Sequence, residues 1–501
     1  MLIEYFNFFN LNKFIKNNNI NNRSIRSEKL FLIFLFFINA VLSIYSTPVI
    51  DLGDAGVYIL FSEVILGKVD ANFAHRSPLY PLIIAGLRLV FSPPLLFKVI
   101  VVLQYFLVFL TAWMIYLEFK PLFTRLEPPM LIALLFNLSL STIYYANIIF
   151  TEILTVFLLT VSIYWLLKIY QDFNYKNFII LGIVLGLLSL ARFNAIPIII
   201  TFLVLILYFF YNRKLSISLS LYSILLFIVP YLLILNLWCI YNYKNYNFYG
   251  LFPYSGSLPR NAIVSSIRPE NKVPKRFEPI LAIFLEARKE YFKLNKPRLK
   301  DSFAKFDIFG ALDDLYSGYM IYNIANPDLR KHFNFMKNEG EYEMNLALLD
   351  FYNEIYNQNK KFILKMRFLS FLSGFRAAAT SLPQEYGKIN TNFLPSFVFE
   401  LYKVSIIIIS LFVFFSVIVF IYNILRKKNH HNNYLLIYFF VVFSFWGINF
   451  YFVTVGDANR YKFPAEPFIF GLFVYYFYKG VNWWRTRYRL FRGYLINARN
   501  L

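Results

Sequence analysis

A single cysteine, Cys239, stands in a chain of 501 residues, inside an apolar run, so neither a disulfide framework nor a paired-cysteine metal site is available. Histidine is nearly as scarce. The four, His75, His332, His430 and His431, follow no HExxH or related ligand spacing. Charge is thin throughout, at 16% of residues against 58% hydrophobic, and the mean hydropathy is +0.52. These values exclude an ordinary soluble domain and point to repeated membrane spans. Acid is the scarcer sign, with 28 Asp and Glu against 50 Lys and Arg and a net charge of +22. No basic stripe interleaved with aromatics on a soluble pattern argues for nucleic acid, whereas a polytopic protein collects Lys and Arg on its cytoplasmic side. No internal repeat is visible, which weakens a transporter built on inverted repeats. The stretch "NKFIKNNNINN" reads as nucleotide-composition bias and is assigned no chemistry.

What is present is apolar sequence of spanning length. Windows near 20 residues fall at about 30–49, 95–118, 128–146, 148–167, 217–240, 400–425, 433–452 and 463–479, and two shorter ones at about 177–191 and 195–211 flank "ARFN". The reading is an all-α polytopic membrane protein of about ten transmembrane helices. The first window is predicted to stay as an anchor, because the polar residues 1–29 precede it and no small-x-small cleavage site follows at "SIYSTPVID".

Orientation follows from the basic residues. Lys13 to Lys29, Lys120 and Arg125, Lys168 and Lys176, Arg213 and Lys214, Arg426 to Lys428, and Lys479 to Arg492 mark one set of loops as cytoplasmic. The opposite loops hold chiefly Lys68, Arg76, Arg88, Arg192, Arg460 and Lys462 and are predicted to face out. Counting "SPLYPLIIAGLRLVF" as a further span would throw every later basic loop outward, so it is read as a juxtamembrane or re-entrant helix. The chain then divides into a cytoplasmic tail (1–29), a transmembrane module (30–240) with its first outer loop at 50–94, an outer mixed soluble insert (241–399), C-terminal transmembrane helices (400–480) and a basic cytoplasmic tail (481–501).

With that topology the unusual polar residues gather on the outer side: Asp51, Asp54, Glu63, His75 and Arg76 in the first loop, Glu152 after "ANIIFT", Arg192 in "LARFNA", and Asp457, Arg460 and Tyr461 in "GDANRYKFP". Ionisable groups at membrane depth are costly, so their convergence is a site hypothesis. Each has a plainer reading. Asp54 opens a predicted helix and would serve there as an N-cap, and Thr151 with Glu152 would cap and complement another helix start. Arg76 reads equally as a solvated loop charge, Arg460 as a snorkeller toward headgroups and Arg88 as an interfacial snorkeller. Outer Tyr and Phe fit an interfacial belt. Arg192 in a very short outer loop runs against the orientation bias and calls for an anionic partner.

Carboxylates and arginines at an outer membrane surface suit the transfer of a sugar from a polyprenyl phosphate. A base deprotonates the acceptor, and cations hold a phosphate whose charge grows as the glycosidic bond breaks. The phosphate is already a good leaving anion, so no general acid is needed, in contrast to a two-carboxylate glycosidase.

The motifs resemble the multispanning GT-C glycosyltransferases, in the branch containing protein mannosyltransferases and the aminoarabinose transferase of lipid A. The likeness rests on Asp54-Ala-Gly-Val-Tyr58, Gly67, Arg76-Ser-Pro78-Leu-Tyr80-Pro81, "TEILTVFLLT", "GIVLGLLSLARFNAIP", "YNYKNYNFYGLFPYSGS" and "NRYKFPAEP", in that order over about 50–260 and 440–480. It implies an inverting enzyme with Asp54 as acceptor-activating base and Glu152 as a second acid near acceptor or metal. Arg76, Arg192 and Arg460 become donor-phosphate ligands, and Tyr58, His75, Tyr80 and Tyr461 substrate-binding residues. The implied partners are a polyprenyl-phosphate sugar donor and a lipid, glycan or protein acceptor at the outer face of a prokaryotic inner membrane. No cofactor is required by this reading, and a divalent metal, if one takes part, falls to Asp54 and Glu152. Asp51 is a competing base, and the segment 262–395 matches no part of the family pattern. The rival readings are an O-antigen ligase or polymerase using a diphosphate-linked donor, and a polysaccharide flippase or transporter.

Overall fold

The computed structural model describes residues 22–50, 55–71, 76–246, 248–251, 260–294, 308–334, 341–373, 396–425, 433–451 and 463–499. Among these the chain is helical, and the pairing of Val49 with Ile148 is an isolated β-bridge. Five helical segments are long and apolar enough to cross a bilayer: Arg26–Tyr45, Pro93–Leu122, Glu152–Gln171, Phe193–Arg213 and Ile217–Tyr246. A sixth is formed if the pair Glu127–Asn137 and Leu140–Asn147, bent by 45°, counts as one span. This is the build of an integral membrane protein.

The membrane module begins with α1 (Asn22–Tyr45), followed by the two short helices α2 (Ala55–Ile65) and α3 (Leu79–Arg88). Next come α4 (Pro93–Phe119), α5 (Glu127–Asn137), α6 (Leu140–Asn147), α7 (Glu152–Gln171), α8 (Tyr175–Ala191), α9 (Ile198–Arg213) and α10 (Ile217–Tyr246). The insert contributes α11 (Arg260–Ser266), α12 (Glu278–Leu294), α13 (Ile308–His332), α14 (Glu341–Gln358) and α15 (Lys360–Ser373). The chain closes with α16 (Ser396–Leu425), α17 (Asn433–Tyr451) and α18 (Glu466–Arg499).

Local chemistry sets the boundaries that matter for the site. Gly67, at φ +69, ends α2 in a left-handed turn that a side chain would strain, and its N–H donates to Val64 O at 2.9 Å. Pro78 precedes α3 and Pro81 lies in its first turn, where a missing N–H costs nothing. The helix is only 10 residues long, so "SPLYPLIIAGLRLVF" forms a helix too short to cross a bilayer. Pro93 and Pro94 open α4 by the same rule, after Ser92 in an extended conformation.

The apolar window at 128–146 differs from a single straight span. It breaks at Leu138 and Ser139, where the Ser139 hydroxyl accepts the Thr142 N–H and so restarts the chain as α6. A continuous apolar run does not forbid a break where a capping side chain supplies the lost hydrogen bond.

One hydrophobic core runs through the membrane module, with Tyr105, Tyr116, Phe119, Phe136, Phe202 and Phe209 among its fully buried large side chains. The insert has a second core in which Phe284 stacks on Phe351 at 5.6 Å, and Arg260 lies over the Tyr322 ring at 4.0 Å. Its α15 packs against α17, and α17 packs against α9.

Candidate functional site

The ends of the membrane helices that the basic loops mark as outer are stitched together by polar side chains, and the stitches converge on the residues just before Glu152. Lys98, in the second turn of α4, donates through Nζ to the carbonyls of Ser43, Ile44 and Ser46 at 2.7, 2.9 and 2.6 Å. An ammonium thus caps the C-terminal end of α1, where the helix dipole favours positive charge. Ser46 Oγ donates to Tyr105 Oη at 3.0 Å, and Tyr105 Oη donates to Asn147 Oδ1 at 3.3 Å. Gln104 Nε2 donates to the carbonyls of Ala146 and Ile148 at 3.2 and 2.9 Å. Val49 N–H donates to Asn147 O at 3.0 Å, which holds the entry to the first outer loop beside this same segment.

Arg192 arrives from another direction. Its helix, α8, packs closely on α10 because Gly182 and Gly186 lie one turn apart on the contact face. A Cβ at Gly182 would fall 2.2 Å from the Phe227 carbonyl oxygen, and one at Gly186 3.0 Å from Ile234 Cβ. Small residues at this spacing let membrane helices approach backbone to backbone. At the end of α8 the chain turns extended at Arg192, φ −157 and ψ 110, and the side chain is 8% exposed.

Arg192 Nη1 donates to Glu152 Oε1 at 3.2 Å, across α8 and α7, and Glu152 is fully buried. The anionic partner that Arg192 called for is therefore Glu152. Thr151 makes no side-chain cap on α7, so the simple capping account of the Thr-Glu pair does not describe this helix start. Removing one member of such a buried pair is the expensive change, because the other charge is left in low dielectric.

The segment leading into α3 meets the turn that follows Arg192. Phe193 N–H donates to Ser77 Oγ at 3.3 Å, tying "RSPLYP" to the turn that carries Arg192. Arg76, half-buried, is the neighbour of that serine. Tyr80 packs edge-on against Tyr58 at 5.7 Å, and both rings are buried. Among the described residues the Tyr80 hydroxyl has no hydrogen-bond partner. Burial, then the Glu152 carboxylate, then Tyr58 hold its phenol above the ordinary range, so it remains a neutral O–H.

The structure thus brings together Glu152, Arg192, Tyr80 and Tyr58, with Arg76 attached through Ser77. Asp54, His75, Arg460 and Tyr461, and the competing Asp51, lie outside the described residues. So does half of the metal expectation, since it names Asp54. Among the described residues no three His, Cys, Asp or Glu side chains group to hold a metal ion.

Arg88 is corrected. It is no snorkeller: its Nη1 lies 3.0 Å from Glu63 Oε1, and the side chain is 10% exposed. The pair joins α3 to α2. Lys98, Gln104 and Ser77 were absent from the sequence-based site. The first two were visible as polar residues inside the apolar window 95–118, a signal that marks a structural or functional demand. No protein-family model and no curated protein sequence matches the chain.

Proposed function

We propose that the chain is an integral membrane glycosyltransferase of the GT-C type, moving a sugar from a polyprenyl-phosphate donor to a lipid, glycan or protein acceptor at the outer face of a prokaryotic inner membrane. The observation that carries this reading is the buried Glu152–Arg192 pair with an unbonded phenol, Tyr80, beside it and the Arg76 segment tied to it. A pair of this kind keeps a guanidinium charged and oriented in a dry setting, the state needed to meet a phosphate whose charge grows during reaction.

In this reading Asp54 takes the proton from the acceptor hydroxyl, and the acceptor oxygen attacks the anomeric carbon on the face opposite the phosphate. The glycosidic C–O electron pair leaves with the phosphate, so the anomeric configuration inverts. Arg76 and Arg192 receive the developing charge, and Glu152 fixes the Arg192 guanidinium. Tyr80 offers its O–H to a substrate oxygen, which satisfies a buried group that otherwise costs about 1–3 kcal/mol. Tyr58, His75 and Tyr461 complete the substrate surface, with Arg460 on the donor phosphate. A divalent metal, if required, falls to Asp54 and Glu152.

The test is transfer by the purified protein from synthetic polyprenyl-phosphate sugars to a crude envelope acceptor fraction. Product with inverted anomeric configuration is expected. Transfer only from a diphosphate-linked glycan would replace this reading with that of a ligase or polymerase.

A further inference from the structure

Helix α18 is too long for the membrane it enters. Its 34 residues rise about 51 Å at 1.5 Å per residue, against a hydrocarbon core of about 30 Å. The first part is built into the bundle, with Phe468, Leu472 and Tyr475 buried. Phe123, in the loop predicted to be cytoplasmic, contacts the rings of Tyr475 and Tyr478 at 5.8 and 5.5 Å and marks where the bundle ends. Around and beyond that point the large apolar side chains described are exposed: Phe477, Trp483, Trp484 and Tyr488 at 59%, 63%, 61% and 52%.

The overhang has a pattern. Phe477, Val481, Trp484, Tyr488, Phe491 and Leu495 recur at alternating spacings of four and three, which aligns them on one helix face. Arg485, Arg489 and Arg492 fall on one flank of that stripe and Arg487 on the other. Trp484 stacks on Tyr488 at 5.4 Å, and Arg487 lies over Trp483 at 5.7 Å. After Glu466 the chain contains no acidic residue.

That charge distribution selects the occupant. A four-three seam is also the seam of a helix pair, but in a parallel pair of copies Arg487 would meet Arg492 across the interface, and in an antiparallel pair no acid is present to answer any arginine. A second copy is therefore repelled. The stripe requires an apolar phase, its flanks require anions, and the segment is covalently tethered to a bilayer. Trp, Tyr and Arg along one face are the composition of a helix lying in the headgroup layer. Gly480 has no atom within 4 Å of the position a Cβ would take, and it lies just before the exposed stretch 482–488.

We propose that α18 bends at Gly480 and that its overhang lies along the cytoplasmic leaflet, binding anionic phospholipid headgroups through Arg485, Arg489 and Arg492. The stripe sinks into the acyl boundary and the arginines remain at phosphate level. This surface is independent of the outer site.

The experiment uses the full chain in liposomes, with Cys239→Ser and a nitroxide attached at Tyr488→Cys on the stripe or at Thr486→Cys on the opposite face. Accessibility to oxygen, which partitions into lipid, is compared with accessibility to a water-soluble nickel chelate. In phosphatidylcholine containing phosphatidylglycerol, the label at 488 is expected to favour oxygen and the label at 486 the chelate. Replacing Arg485, Arg489 and Arg492 with Gln should lower the inserted fraction by about fivefold per arginine, and added salt should act in the same direction. Three results overturn the proposal. A 488 label open to the chelate with both lipids means a solvated tail, one shielded from both reagents means a protein neighbour, and insertion that ignores phosphatidylglycerol removes the anionic headgroup.

Discussion

Glu152 and Arg192 stand 40 positions apart in sequence and meet with Oε1 and Nη1 3.2 Å apart, at the ends of two helices that pack along each other. Both are buried, so neither charge has water to fall back on. The pair is therefore a structural commitment as well as a proposed element of the site, and the two roles separate by mutation. Arg192→Gln alone takes the guanidinium from beside the buried glutamate and should cost about 3–5 kcal/mol of stability. Glu152→Gln with Arg192→Gln should recover most of that loss but not activity. Thermal unfolding in nanodiscs, read beside transfer rates, checks both; a double variant that regains turnover would show the pair to be scaffolding only.

Asp54→Asn is expected to lower turnover by about a hundredfold or more, the scale of a positioned general base, with insertion and folding intact. Asp51→Asn should lose much less. Steady-state kinetics with a synthetic polyprenyl-phosphate sugar ranks the two carboxylates, and a reversed ranking assigns the base to Asp51.

Arg76→Gln should reduce kcat/KM by about ten to a hundredfold, the equivalent of one charge-assisted contact of about 1.5–3 kcal/mol. Part of the loss belongs in kcat, because the phosphate gains charge as the bond breaks. Arg76→Lys should restore some of it through the point charge. Exposed Lys68 serves as the control and should tolerate Gln, whereas Arg88 is paired with Glu63. Donor kinetics unchanged in Arg76→Gln would remove this residue from phosphate binding.

Gly182→Leu should push α8 off α10 and displace Arg192, since even a Cβ there meets the Phe227 carbonyl. Loss of both stability and activity is expected. Gly86→Ala, where nothing lies within 4 Å, should be neutral or stabilising by up to about 1 kcal/mol. Unfolding midpoints of the two purified variants test the contrast.

The orientation predicts that a cysteine at exposed Asp172, in a Cys239→Ser background, reacts with an impermeant maleimide only after the membrane is opened. A cysteine at exposed Asn357 in the insert should react from outside. External labelling at 172 would invert the assignment of every loop.

The helical build was legible in the residues because lipid-compatible apolar runs of about 20 residues have one backbone solution, the helix that satisfies its own hydrogen bonds. The short α3 was legible for a different reason: Pro78 and Pro81 fix its start, and the pattern of basic loops had argued against counting it as a crossing. The residue types of the proposed site were also visible, since a carboxylate or arginine beside an apolar window is conspicuous. Hydropathy specifies that a residue is buried but not against which neighbour, and pairing is a property of helix packing. That Arg192 meets Glu152 depended on α8 packing along α7. Whether Arg88 snorkelled or paired depended on α2 and α3 packing together, and whether 128–146 ran straight depended on Ser139 meeting Thr142. The sequence by itself determined which segments leave water and which charges need a reason to be there; the Ser139 cap is a local event three residues long, whereas the partners of Arg192 and Arg88 were decided by the tertiary structure alone, because those distances are set by contacts between different helices.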